Sequence, residues 1–505
     1  MTRNPLFWLH LRIGGSTRTV VLVPVAYATA ILFFAGLSLY LSSRRDHPQI
    51  YATWLSIMTA AQAIFLLLLA PSAIRRSVQR DFESGMMESH RLTPMSNLRI
   101  VLGYLTGAPF LALLLCGVSA VFGSYFAARY GMTPGLGGSM GLGVTLLGWG
   151  TALGCMLVLA AAICAVVLLT AIATGGKTNL VGLILLIGIF GGWMAVMFIP
   201  GLALLSGVLS GGMLVGMFTK SAAVGNPAVI FSASGLQFVY FLIFLAACCA
   251  KLRHPERAVF SVGLGMILLL TWGLTLVAGM AVAGAYAWMF PPWKDADTPQ
   301  VLASTAAFIV VALLPLVAAA TDAHALDAAG ALERRRSRAA TRVRLVPPLL
   351  AVCTIACMAL MQQFRIALHP SLPGWLVAAG LIASWLACAL FFWGMFCFCY
   401  ALLGLSVRLR IAVPLGVGVL LGGPLLLEGL AQFVVTELGG GRWPDAGYLS
   451  AISPVGTLAA AARGSLVVCG LGLVVQAGIA VGLTMWARRV RRGLSTLGVP
   501  TARRL

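Results

Sequence analysis

The sequence predicts an all-α, polytopic helical membrane protein of about twelve transmembrane helices, arranged as two parallel six-helix halves. Three observations predict it. Of the 505 residues, 60% are hydrophobic and only 9% are charged, a balance foreign to ordinary water-soluble domains. Apolar runs of about 20 residues, each long enough to cross a hydrocarbon core as a helix, recur along almost the whole chain. Basic residues are spread unevenly over the links between those runs, as orientation in a bilayer requires. The short-period alternation of a β-barrel is missing.

The spans read as 19–42, 50–73, 99–127, 141–173, 180–206, 229–250, 258–290, 301–320, 345–362, 375–405, 411–436 and 464–487. Threaded with the N-terminus in the cytoplasm, they leave 26 of the 34 Lys and Arg inside. The other eight, Arg44, Arg45, Arg129, Lys220, Lys294, Arg365, Arg442 and Arg463, fall outside. This asymmetry predicts both termini in the cytoplasm, and the chain is expected to reside in a bacterial inner membrane. It also accounts for the net charge of +21 without invoking nucleic acid. Trp288, Trp293, Trp375 and Trp443 lie near outer boundaries, where interfacial aromatic belts form. No small-residue cleavage pattern follows the first apolar run, so it is expected to remain as a span.

Little in the chain suggests chemistry of its own. All eleven Cys lie in apolar spans and behave there as small hydrophobes. Cys353 with Cys357, and Cys397 with Cys399, have no His or carboxylate in the same spans to complete a metal site. Gly175-Gly176-Lys177-Thr178 looks like the end of a phosphate-binding loop, but Ala171 stands at the first glycine position and no strand precedes it. No catalytic constellation appears, so no enzyme activity and no cofactor are expected in this chain. Among acidic residues only Glu428 sits well inside a span. A carboxyl at that depth is expensive, so Glu428 is either an intramembrane polar site with a function or a structural group that bonds to a neighbouring helix or stays protonated.

The chain divides near residue 257 into halves of six spans, 1–257 and 258–505, which an even number of spans makes parallel. Pro71 is followed by Gly85-x-x-Glu88-x-x-Arg91, and Pro315 by Gly330-x-x-Glu333-x-x-Arg336. Asn226-Pro227 precedes the sixth span and Ser453-Pro454 the twelfth. A diverged internal duplication is expected.

The most informative link is 74–98. Asp81 and Glu83 interrupt its basic character, and Phe82, Met86 and Met87 recur at helical spacing, which predicts a short amphipathic helix ended by Pro94. Such apolar anchors suit a groove on another protein or the lipid interface. Here the sequence resembles the coupling region of type 2 ABC exporter permeases: Glu83-Ser-Gly85-x-x-Glu88, then Leu92-Thr93-Pro94-Met95-Ser96, then Arg99-Ile-Val-Leu-Gly103. Asn4-Pro5 through Leu11-Arg12 is similar to the amphipathic elbow that opens those permeases, and Asn226-Pro227 to a pair before their last helix. The chain departs from the pattern at Met86, where the family has Thr, at Tyr104, where it has Lys, and at Leu9-His10, where it has an acid. The second link, 321–344, keeps Glu333 but lacks the Thr-Pro.

The resemblance implies an export permease moved through alternating access by a separate cytoplasmic ATP-binding cassette subunit, which carries ATP and Mg²⁺. It implies contact with that subunit through Arg80, Asp81, Phe82, Glu83, Gly85, Met86, Glu88, Thr93 and Pro94. Gly330, Glu333 and Arg336 form a diverged second candidate loop. Membrane lipid and a second permease subunit are the other partners it implies. The competing reading is an ion-coupled secondary transporter, for which Glu428 is the one intramembrane group available.

Overall fold

The computed structural model describes residues 17–43, 46–92, 95–132, 142–176, 227–254, 259–283, 311–324, 374–405, 423–434 and 465–496, with a few single positions elsewhere. The described residues are helical and contain no strand. Among the described residues, seven helical stretches are long and apolar enough to cross a membrane: Arg18–Leu41, His47–Glu83, Phe110–Gly131, Thr145–Thr174, Ala233–Arg253, Ala378–Leu403 and Leu466–Arg492. The chain is a polytopic helical membrane protein. The spans expected at 180–206 and 345–362 lie outside the described residues, as does nearly half of 411–436.

The helices fall into two compact units, one ending at Val259 and the other starting at Phe260. In the first unit, α1 (Thr17–Leu41) is followed by α2 (His47–Ile64), a five-residue π turn (Phe65–Leu69) and α3 (Ala70–Glu83). Then come α4 (Met86–Leu92), α5 (Asn97–Gly107), α6 (Phe110–Gly131), α7 (Leu142–Thr174) and α8 (Pro227–Arg253). The expected single span 99–127 is broken in two at Pro109, which caps the start of α6. Proline lacks the amide hydrogen that would continue the ladder from α5.

The second expected span, 50–73, also differs, for it runs on without interruption to Glu83. Its inner face repeats every four residues: Met58, Gln62, Leu66, Ala70, Ile74 and Val78 are all buried. Five ordinary helical turns hold about 18 residues, and a π turn takes up one more, so the wide turn absorbs about half of the drift. Its position follows from Pro71, which cannot donate to the carbonyl of Leu67 and crowds it. The Ala70 amide reaches back five residues to the Phe65 carbonyl instead.

The core of this unit forms where α1, α2, α6 and α7 meet. Ile31, Ala35, Leu55, Met58, Phe126, Ala127, Trp149 and Ala152 pack at one level, and Leu66, Cys116, Met156 and Ala160 at another. Two polar ties cross it: Trp54 Nε1 donates to Ser38 Oγ at 2.9 Å, and the Tyr27 and Ser119 hydroxyls lie 2.9 Å apart. Trp149 packs against Gly123, where an added Cβ would stand 2.1 Å from the indole ring.

In the second unit, α9 (Val262–Ala283) and α10 (Val311–His324) approach closely, with Gly265 beneath Pro315. The long α11 (Gly374–Gly404) packs along α13 (Leu466–Thr496), and α12 (Gly423–Phe433) lies between them in sequence. Gly394 admits Leu483 and Ala480, Trp393 Nε1 donates to Thr484 Oγ1 at 3.0 Å, and Phe398 meets Trp486.

The Gly123 contact yields a controlled prediction. Gly123→Ala drives a methyl group into Trp149 and should lower thermal stability in detergent by about 1–3 kcal/mol, the usual cost of overpacking. Gly117→Ala on the same helix, where an added Cβ meets nothing within 4 Å, should leave the melting temperature unchanged or slightly raised. Equal melting of the two variants would contradict the packing of α6 on α7.

Candidate functional site

The described part of 74–98 forms an elbow. α3 ends because Gly85 adopts φ of +72°, a left-handed conformation that glycine takes without penalty, with open space around it. The Ser84 amide donates to the Arg80 carbonyl, the Gly85 amide to Phe82, and the Glu88 amide to Gly85, so the chain reverses tightly into α4. The helix signalled by Phe82, Met86 and Met87 is therefore two helices with a bend between them. Pro94, expected to terminate it, lies outside the described residues together with Thr93.

Side chains around the bend divide by direction. Arg80, Glu83, Ser84, Gly85, Glu88 and Ser89 are exposed. Gln79 Nε2 donates to Glu83 Oε1 at 2.8 Å, which holds the carboxylate along the helix. Phe82 and Met86 are half-buried, whereas Met87 is buried at 1% exposure. Asp81 also turns inward at 1% exposure, where it accepts a hydrogen bond from the hydroxyl of fully buried Tyr104 on α5. Of the nine residues implied by the resemblance, Arg80, Glu83, Gly85 and Glu88 are exposed around the bend, Phe82 and Met86 are half-buried there, Asp81 is buried against Tyr104, and Thr93 and Pro94 lie outside the described residues.

A second brace comes from α7. Gly175 and Gly176 follow its last turn with φ of +64° and +74°, and the Gly176 amide donates to the Ala171 carbonyl at 2.8 Å. This left-handed glycine cap satisfies carbonyls at the helix end. It also lets backbone meet backbone: a Cβ on Gly176 would stand 2.6 Å from Gln79 Cβ and 2.7 Å from its Cα. The Phe82 ring lies over Gly175, and Arg75 Nε donates to the Gly176 carbonyl at 3.4 Å. The pair that resembles a phosphate loop in sequence is here a seat for α3.

The remaining candidates are dispersed. Glu428 is half-buried on α12. Gly330, Glu333 and Arg336 lie outside the described residues. No group of His, Cys, Asp or Glu that could hold a metal occurs among the described residues. In the second unit a small cavity is lined by Phe391, Gly394, Gln476 and Ala480, and Gln476 Nε2 donates to Thr457 Oγ1 at 2.8 Å. Comparison with protein-family models, curated proteins and solved structures finds no match to this chain.

Sequence reasoning missed Tyr104 and Gly176 as parts of the site. Their signals were present as a tyrosine where the resembling family has lysine and as a glycine pair with no strand before it. Tyr104→Phe removes one donor and leaves the Asp81 carboxylate short of a partner in a buried place, a change that costs about 1–3 kcal/mol. Amide hydrogen exchange should then rise in 79–85 and 100–104 but not in α1. Unaltered protection across 79–85 would show that the brace does not hold the elbow.

Proposed function

We propose that this chain is the membrane-embedded permease subunit of an ATP-driven ABC exporter, resident in a bacterial inner membrane with both termini in the cytoplasm. Twelve spans in two parallel halves complete the reading. The observation that carries it is the ordered residue pattern of 81–103, whose exposed members Glu83 and Glu88 lie on either side of one bend, next to exposed Arg80.

The geometry suits this work in physical terms. A subunit that pushes on a membrane helix needs a firm point of application. α3 is a direct continuation of a span, and it is backed by Asp81–Tyr104 on one side and by Gly175–Gly176 on the other. Glu83 and Glu88 offer carboxylates to a basic surface, Arg80 offers a guanidinium, and Phe82 with Met86 supplies apolar contact at the edge. ATP and Mg²⁺ belong to the partner, which hydrolyses the nucleotide. The chain's own residues receive the displacement and pass it into α2 and α7.

The test is purification of the chain from its native membrane in mild detergent, followed by measurement of ATP hydrolysis by the isolated complex. Vanadate-sensitive hydrolysis is expected with the native chain. It should fall at least tenfold with Glu83→Arg, Glu88→Arg, whose exposed positions spare the fold. A native complex with no ATPase activity would sink the proposal and favour the ion-coupled carrier, in which Glu428→Gln rather than the elbow variant would abolish transport.

A further inference from the structure

Gln62 is fully enclosed on the inner face of α2, and neither its Nε2 nor its Oε1 has a hydrogen-bond partner. Buried amides are paired in the great majority of structures, so an orphan calls for an explanation. Trp149, 2% exposed in the same core, also leaves its Nε1 without a partner. Gln62 stands one turn from Met58 of one core level and one turn from Leu66 of the other. An apolar side chain there would complete the packing without any polar cost.

The π turn begins three residues after Gln62. The Phe65 amide is shared between the Ala61 and Gln62 carbonyls, and the Ala70 amide reaches the Phe65 carbonyl. π turns are sparingly stable and concentrate at functional sites. Relaxing this one to α geometry moves the register by one residue and turns α2 by about 100° relative to α3. The face opposite Gln62 carries exposed apolar residues, Ile57 and Ile64.

We infer that Gln62 belongs to a polar binding point of the transport path that this conformation keeps closed, and that the π turn Phe65–Leu69 is the joint that opens it. The carboxamide both donates and accepts and carries no charge, so the group it fits is a neutral amide or hydroxyl of the ligand. The inference rests on the transport half of the proposed function and is independent of ATP coupling.

The experiment uses Gln62→Cys in proteoliposomes, with a water-soluble maleimide as probe and labelling located by peptide mass spectrometry. The native chain is treated in parallel to account for its own eleven cysteines. An open state populated at about 0.1–10% gives labelling at position 62 roughly 10- to 1,000-fold slower than at an exposed Ser84→Cys control. Adding Pro71→Ala restores an amide hydrogen that favours α geometry and should raise that rate severalfold. A second measurement, thermal unfolding of Gln62→Leu, should show a higher melting temperature, because the orphaned amide is gone. No labelling at position 62 while the control reacts would overturn the inference, as would a rate indifferent to Pro71→Ala or a lower melting temperature for Gln62→Leu. None of these readouts requires the ATPase, so the coupling proposal can fail while this one stands.

Discussion

Pro71 sits in the middle of a 37-residue helical stretch, His47–Glu83, at a place where an ordinary helix needs an amide hydrogen. Its ring and its missing donor are accommodated by a widened turn just before it, and that widening decides which side of α3 faces α7. Ile74, Val78 and Asp81 then point inward, and Arg80 and Glu83 outward. Without the extra residue the face below the turn would be rotated by about 100°. Tyr104 would no longer meet Asp81, nor Gln79 the glycine pair. The elbow, its braces and the orphaned Gln62 all depend on this one backbone constraint.

Much of this architecture is legible in the residues. Long apolar runs such as 141–173 and 375–405 find helices at Leu142–Thr174 and Gly374–Gly404, because a membrane helix is specified by length and hydrophobicity more than by detailed packing. Proline punctuation was harder to weigh. Pro109 ends a helix, whereas Pro71 lies within a continuous one and only widens it. Which occurs depends on whether neighbouring backbone can re-satisfy the freed carbonyls.

The candidate site was legible in outline and obscure in depth. Charge marked Asp81 and Glu83, the family pattern added Glu88, and helical spacing marked Phe82, Met86 and Met87. Nothing in one sequence says that Asp81 turns inward while Arg80 and Glu83 turn out, since that follows from the register set at the π turn. The pairing of Asp81 with Tyr104 crosses 23 residues, and that of Arg75 with Gly176 crosses 101. Contacts of such sequence separation leave no local periodicity to read.

The first helix, α1, has only 11% of its apolar window enclosed, and two polar ties connect it to the core. Trp54 to Ser38 spans 16 residues, whereas Tyr27 to Ser119 spans 92. During synthesis these ties become available in sequence. An α1–α2 hairpin can fasten as soon as both segments have entered the bilayer, but the tie from Tyr27 to Ser119 must wait until α6 has been made. The growing chain therefore carries a loosely attached leading helix through the insertion of more than sixty further residues, an interval in which lateral exit into lipid, rather than packing, governs where that helix resides.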